Sequence, residues 1–154
     1  MKRKILILLM LTTILFSSCS INRMAIGRVG DMVGTGMSAI YEESDLELAE
    51  TSIAANLKLM EVLLKNDPEN KKIKILLAQG YGAYALGFIE DEDPERAKYF
   101  YLKSRDYALE VLNEQLKVED LSKLSVDDLN RQLAKLKMQH VEPLFWAATY
   151  WGSW

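Results

Sequence analysis

The run from Ile73 to Ile89 is apolar almost all the way round a helix, and it constrains the fold more than any other stretch. Between Ile75 and Ile89 the only polar side chains are Gln79 and the hydroxyls of Tyr81 and Tyr84. A helix that is apolar all round has to be buried on several sides, so the other elements must wrap around it. It also carries Gly80, Gly82 and Gly87, each costing roughly 1 kcal/mol relative to Ala in a helix interior. Close approach of neighbouring helices at Gly80 and Gly87 is the expected compensation. Asp67 is the expected N-cap, with Pro68 at the first helical position, where a missing N–H costs nothing. The helix is expected to end near Glu90.

The flanking segments read as helices too. Ser44 and Glu47 form a capping box opening a helix over 45–65, with Leu46, Ala49, Ile53, Leu57, Met60 and Leu64 on one stripe. Asp93 as N-cap and Pro94 behind it open a helix to about Val118. Its inner stripe is Ala97, Phe100, Tyr101, Ser104, Ala108, Val111 and Leu112. Lys98, Lys103, Arg105, Glu110 and Glu114 are expected to face water. Leu121 to Leu124 connects to a fifth helix, capped by Ser125 and running to about Met138. Glu142-Pro143 starts a sixth, holding Phe145, Trp146, Tyr150, Trp151 and Trp154. Upstream, 21–41 reads as a short, poor helix weakened by Gly27 and Gly30, followed by a loop at Gly34-Thr35-Gly36. No strand pattern appears, so the fold class is all-α.

The N-terminus sets the cellular address. Lys2, Arg3 and Lys4 precede an apolar run from Ile5 to Phe16, which is shorter than the ~20 residues of a transmembrane helix and has the length of a secretory core. Phe16-Ser17-Ser18-Cys19 then resembles the bacterial lipobox, in which the cysteine is acylated and becomes the first mature residue. Acylation also accounts for a lone thiol in an oxidising compartment. Ser20, rather than Asp, follows Cys19 and favours the outer membrane. The expected organisation is a lipoprotein signal peptide over 1–18, a tether with a short helix over 19–43, and a helical domain over 44–154.

Several chemistries are excluded. Without the three leader cations, 16 basic residues stand against 22 acidic ones, the wrong balance for nucleic acid. One Cys and one His leave no disulfide and no zinc set. The glycines over 27–36 lack the Lys-Ser/Thr and the preceding strand of a phosphate loop. The acids over 90–93 lack the spacing of a calcium loop and read as a solvated helix start. His140 has no partner for a triad, so no catalytic site, metal or cofactor is expected. Arg105 and adjacent Asp106 should point in different directions, with Arg105 either buried between helices or exposed. The remaining candidates are aromatic: Tyr81, Tyr84 and Phe88 at spacings of three and four, and Trp146, Tyr150 and Trp151 on the last helix. They form either ordinary core or the wall of an apolar cleft.

The helical pairs suggest antiparallel hairpins stacked in an α-solenoid. Pro68, Lys74, Leu77, Ala78 and Tyr81 fall at tetratricopeptide spacings, with Lys74 in place of the usual Trp. Ala97, Tyr101 and Ser104 follow after an enlarged acidic turn. Taken with Asn66-Asp67-Pro68-Glu69-Asn70, Arg105-Asp106-Tyr107-Ala108, Pro143-Leu144-Phe145-Trp146 and Trp151-Gly152-Ser153-Trp154, the mature chain resembles the T-component family of tripartite ATP-independent periplasmic (TRAP) transporters. That resemblance implies a periplasmic lipoprotein with a tetratricopeptide-like superhelix. It further implies assembly as trimers, an apolar pore or cleft, and work beside a substrate-binding P-component. Family members are about twice this length, so the chain is expected to span their N-terminal half and to stop mid-domain.

The expected function is therefore a periplasmic accessory component of solute uptake, anchored by lipid to a bacterial membrane, the outer membrane being favoured. It would bind an apolar or organic-acid ligand or dock the P-component, without covalent chemistry. The rival is a scaffold of the same architecture for outer-membrane assembly or secretion, with a protein client.

Overall fold

The computed structural model describes residues 24–40 and 42–152. The leader, Cys19 and Trp154 lie outside the described residues. Every regular element among those described is helical.

α1 spans 24–40 without a break, so the loop expected at Gly34-Thr35-Gly36 is not formed. The Thr35 hydroxyl donates to the carbonyls of Asp31 and Met32 at 3.1 and 3.0 Å, within the helix. Packing compensates for the weak propensity: a Cβ at Gly30 would sit 3.2 Å from Ile73, and Lys72 pairs with Asp31. Ile26 and Met37 are buried on the same face.

α2 (Leu46–Asn66) is capped by Asp45, which accepts from the Leu48 N–H at 3.0 Å. The expected cap, Ser44, is one residue early: an ionised carboxylate is the stronger acceptor at the positive end of a helix dipole. Ala49, Ile53, Leu57 and Met60 are buried, whereas Leu46, expected on their stripe, is exposed.

α3 (Lys71–Tyr84) also starts later than its sequence signal. Asn70 is the N-cap and accepts from the Ile73 N–H at 3.1 Å. Asp67 instead closes α2, its N–H reaching the carbonyls of Leu63 and Leu64, and its carboxylate accepts from the Asn70 amide at 3.0 Å. With Asp67 so engaged, Pro68 and Glu69 form the turn. Beyond Tyr84 the coil widens over Ala85–Ile89, and the Glu90 N–H reaches the Ala85 carbonyl, five residues back. Here Gly87 is exposed and nothing would meet its Cβ. The close approaches are at Gly80, whose Cβ would lie 2.8 Å from Leu57, and at Gly82, whose Cβ would enter the Tyr150 ring.

α4 (Pro94–Leu116) is opened by Asp93, as expected, and ends on Lys117 in the left-handed conformation. The Ser104 hydroxyl, buried, donates to the Ala78 carbonyl at 2.5 Å. A short turn over Leu121–Lys123 leads to α5 (Val126–Leu133), capped by Ser125. α5 ends well before Met138, which begins another short turn, Met138–His140. His140 is buried there, and its Nδ1 accepts from the Lys137 N–H at 2.9 Å. α6 (Val141–Trp151) completes the described chain.

Pairings fix the directions. Tyr84–Glu50 and Gly80–Leu57 place α2 antiparallel to α3. Lys71–Glu114, Lys74–Glu110 and Ser104–Ala78 do the same for α4. Gly30 and Gly34 meet Ile73 and Leu76 in turn, so α1 runs parallel to α3. Thus α3 sits at the centre, with Ile73, Leu77 and Ala78 fully buried, as is Ala85 just beyond it, as the sequence demands.

Candidate functional site

A polar hub forms where α2, α3 and α4 meet. Oε1 of Glu61 accepts from the Tyr81 hydroxyl at 2.6 Å, from the Tyr107 hydroxyl at 3.3 Å, and from Lys103. Its other oxygen accepts from Lys58 at 2.5 Å. Partial burial by itself would raise the Glu61 pKa. The hydrogen bonds from Lys103, Lys58 and Tyr81 outweigh it and hold the carboxyl at about 2. Burial, reinforced by the Glu61 charge, pushes the Tyr81 and Tyr107 hydroxyls well above their usual range. Lys103, expected in water, is only 23% exposed. Its ammonium lies 4.2 Å from the Tyr81 ring centre and 2.8 Å from the Tyr81 hydroxyl.

Beside this hub is a recess of about 290 Å³ between α2 and α4, floored by Tyr81 and Tyr84 and walled by Tyr99, Phe100, Arg96, Lys58 and Lys103. Tyr84 meets Phe100 edge-on at 5.1 Å, and the Arg96 guanidinium lies 5.5 Å from the Phe100 ring centre.

A second recess, of about 360 Å³, is lined by eight leucines from α4, the 121–123 turn, α5, the residues after it, and α6, together with Ala147, Ala148, Trp151 and Gly152. None of the α5 residues is buried. Its Leu129 and Leu133 form one wall of the recess.

The six aromatic candidates therefore do not share one cleft. Tyr81 and Tyr84 floor the first recess, and half-buried Phe88 lies 6.1 Å from Tyr84. Trp146 and Tyr150 stack at 6.1 Å, and Tyr150 stacks on Tyr101 at 5.0 Å, buried over Gly82. Trp151 lines the leucine recess. Arg105 and Asp106, expected to diverge, instead bond to each other at 2.9 and 2.7 Å, with the Arg105 guanidinium 6.0 Å from the Trp151 ring centre. Sequence reasoning missed Glu61, Lys58, Arg96 and Tyr99. The 42-residue separation of Glu61 and Lys103 leaves no local signal. Among the described residues no group of three or more His, Cys, Asp or Glu is placed to hold a metal ion, and no helix is long and apolar enough to cross a membrane.

Fold and recesses together define an all-helical protein whose surface includes an aromatic and cationic hollow and an aliphatic one. Residues 42–154 match the TRAP transporter T-component family, and the chain belongs to that family. No curated protein and no solved structure matches it. Membership associates the chain with TRAP transport as an accessory component, in a family that is not one of enzymes.

Proposed function

We propose that this chain is a periplasmic lipoprotein, acylated at Cys19 and favouring the outer membrane, that serves a TRAP uptake system. It docks the substrate-binding P-component or holds an apolar or organic-acid ligand, and performs no covalent chemistry. The observation that carries the transport role is the family match over 42–154; the anchor rests on the Phe16-Ser17-Ser18-Cys19 motif. The two recesses support ligand binding, since small-molecule sites combine apolar walls with a few placed polar groups. The helix directions support a tetratricopeptide-like stack: α1, α3 and α6 lie in one orientation, with α2 and α4 reversed between them. Tyr150 packs against Gly82 and stacks on Tyr101, so α6 lies beside the α3/α4 hairpin, which supports reading it as the opening helix of a next repeat. A trimer, implied by the family resemblance, belongs to the same reading.

The test is affinity purification of the full chain from its native membrane. Recovery of a TRAP P-component supports the role; recovery of outer-membrane assembly machinery without any TRAP subunit replaces it with the scaffold reading. For the anchor, Cys19→Ala is expected to release the protein into the soluble periplasmic fraction or to trap the precursor. Retention of a processed, membrane-bound Cys19→Ala protein overturns acylation.

A further inference from the structure

The recess between α2 and α4 is unlike the leucine recess in both charge and lining, and the difference names a ligand. Three cations border it, Lys58, Arg96 and Lys103. Glu61 engages two of them, Lys58 and Lys103. Among the described residues Arg96 has no carboxylate on its guanidinium; it lies against the Phe100 face and donates to the Tyr84 hydroxyl at 3.5 Å, a long and weak contact. No acid lines the recess itself; Glu50 lies 3.5 Å from the same hydroxyl, and the Asp93 carboxylate accepts the Arg96 backbone N–H at 3.0 Å. The lining thus carries three cations and no carboxylate, in a chain whose net charge is −3.

The lining complements that charge. Tyr84 and Phe100 already meet edge to face, and Tyr99 meets Phe100 at 5.3 Å. Aromatic surfaces of this kind favour another ring in an offset or edge-on arrangement. An exposed guanidinium presents a fork that fits a carboxylate through two parallel hydrogen bonds. A purely aliphatic ligand has a better place in the leucine recess, and a polyanion would meet Glu50 and Glu61.

We propose that the α2/α4 recess is a binding site for a small aromatic monocarboxylate, its ring against Tyr84, Tyr99 and Phe100 and its carboxylate on Arg96, with Lys58 as the second cation. Lys103 does not move to the ligand; it stays on Glu61 and stiffens the floor through Tyr81. The site rests on the ligand-binding arm of the proposed function and gives that arm a chemical class.

The experiment titrates the full chain with benzoate, phenylacetate and indole-3-acetate by calorimetry, and with phenylacetamide as a ring of the same shape without charge. At least one acid is expected to bind, with the amide at least tenfold weaker than phenylacetate. Arg96→Gln is expected to weaken the acid at least tenfold while leaving the far-ultraviolet circular dichroism unchanged, because Arg96 is exposed. Aromatic proton resonances of Tyr84, Tyr99 and Phe100 are expected to shift on binding. The proposal is overturned if none of the acids binds, if acid and amide bind alike, or if a folded Arg96→Gln protein keeps its affinity. Capture of a P-component reads the transport role separately. Arg96-dependent binding without that capture leaves the site standing and removes the role, and the reverse result removes only the site.

Discussion

Glu61→Gln offers the sharpest test of how the three central helices are held. The substitution keeps the size and the acceptor oxygen but removes the charge that Lys58 and Lys103 share. A carboxyl held at about 2 rather than 4.5 corresponds to roughly 3 kcal/mol at neutral pH, taking about 1.4 kcal/mol per tenfold change in proton affinity. The Glu61 side chain is 18% exposed, so water screens part of this, and the expected loss is about 2–3 kcal/mol. The sign follows from the depressed pKa. The stabilisation is fully present above pH 4.5 and is lost as pH falls through about 2, where the carboxyl is protonated in folded and unfolded chains alike. Urea unfolding of both proteins, followed by circular dichroism at pH 7, 5 and 3 and near 2, measures the gap directly. It is expected to be constant from pH 7 to 5, to narrow by pH 3 and to be nearly closed near pH 2. A gap under about 0.5 kcal/mol at neutral pH, or one that persists unchanged into acid, refutes the argument, because the hub would then be no more than a surface ion pair.

Two further predictions follow from the backbone. Gly82→Ala drives a methyl into the buried Tyr150 ring and is expected to cost about 1–3 kcal/mol, as overpacking does, whereas Gly87→Ala meets open space and is expected to be neutral or to gain up to about 1 kcal/mol. Thermal melts of the two variants check this, and equal effects would contradict the packing of α6 on α3. At the start of α2, Asp45→Ala is expected to cost about 1 kcal/mol and Ser44→Ala little. The reverse ranking in urea unfolding would restore the cap to Ser44.

Local rules and packing contributed differently along the chain. Asp93-Pro94 and Ser125 were legible as helix starts because a cap bonds an N–H only two or three residues ahead, within the reach of sequence inspection. The stripe from Ala97 to Leu112 was legible because burial repeats with the helical period. The start of α3 was not. Asp67-Pro68 carries a strong start signal, yet Asp67 bonds back to α2 and to Asn70, and two caps competing for one turn cannot be ranked without its geometry. α1 was under-read because glycine propensity counts the cost of a missing side chain and not the closeness it permits against Ile73.

The aromatic set shows the same boundary. Sequence spacing placed Tyr81 and Tyr84 on the central helix and Trp146 and Tyr150 on the last one. It could not say that the first pair floors a hollow with Arg96 while Tyr150 is buried over Gly82. By itself the sequence determined an all-helical chain, the burial of the segment from Ile73 to Ala85, though not of Leu86 and Gly87 beyond it, and the absence of strand patterning, all of which depend on residues within a turn or two of each other. The tertiary structure alone decided which glycines are contacts, that Glu61 and Lys103 meet across 42 positions, and that eight leucines converge on one hollow. Those outcomes depend on the directions and separations at which whole helices pack, which no local pattern encodes.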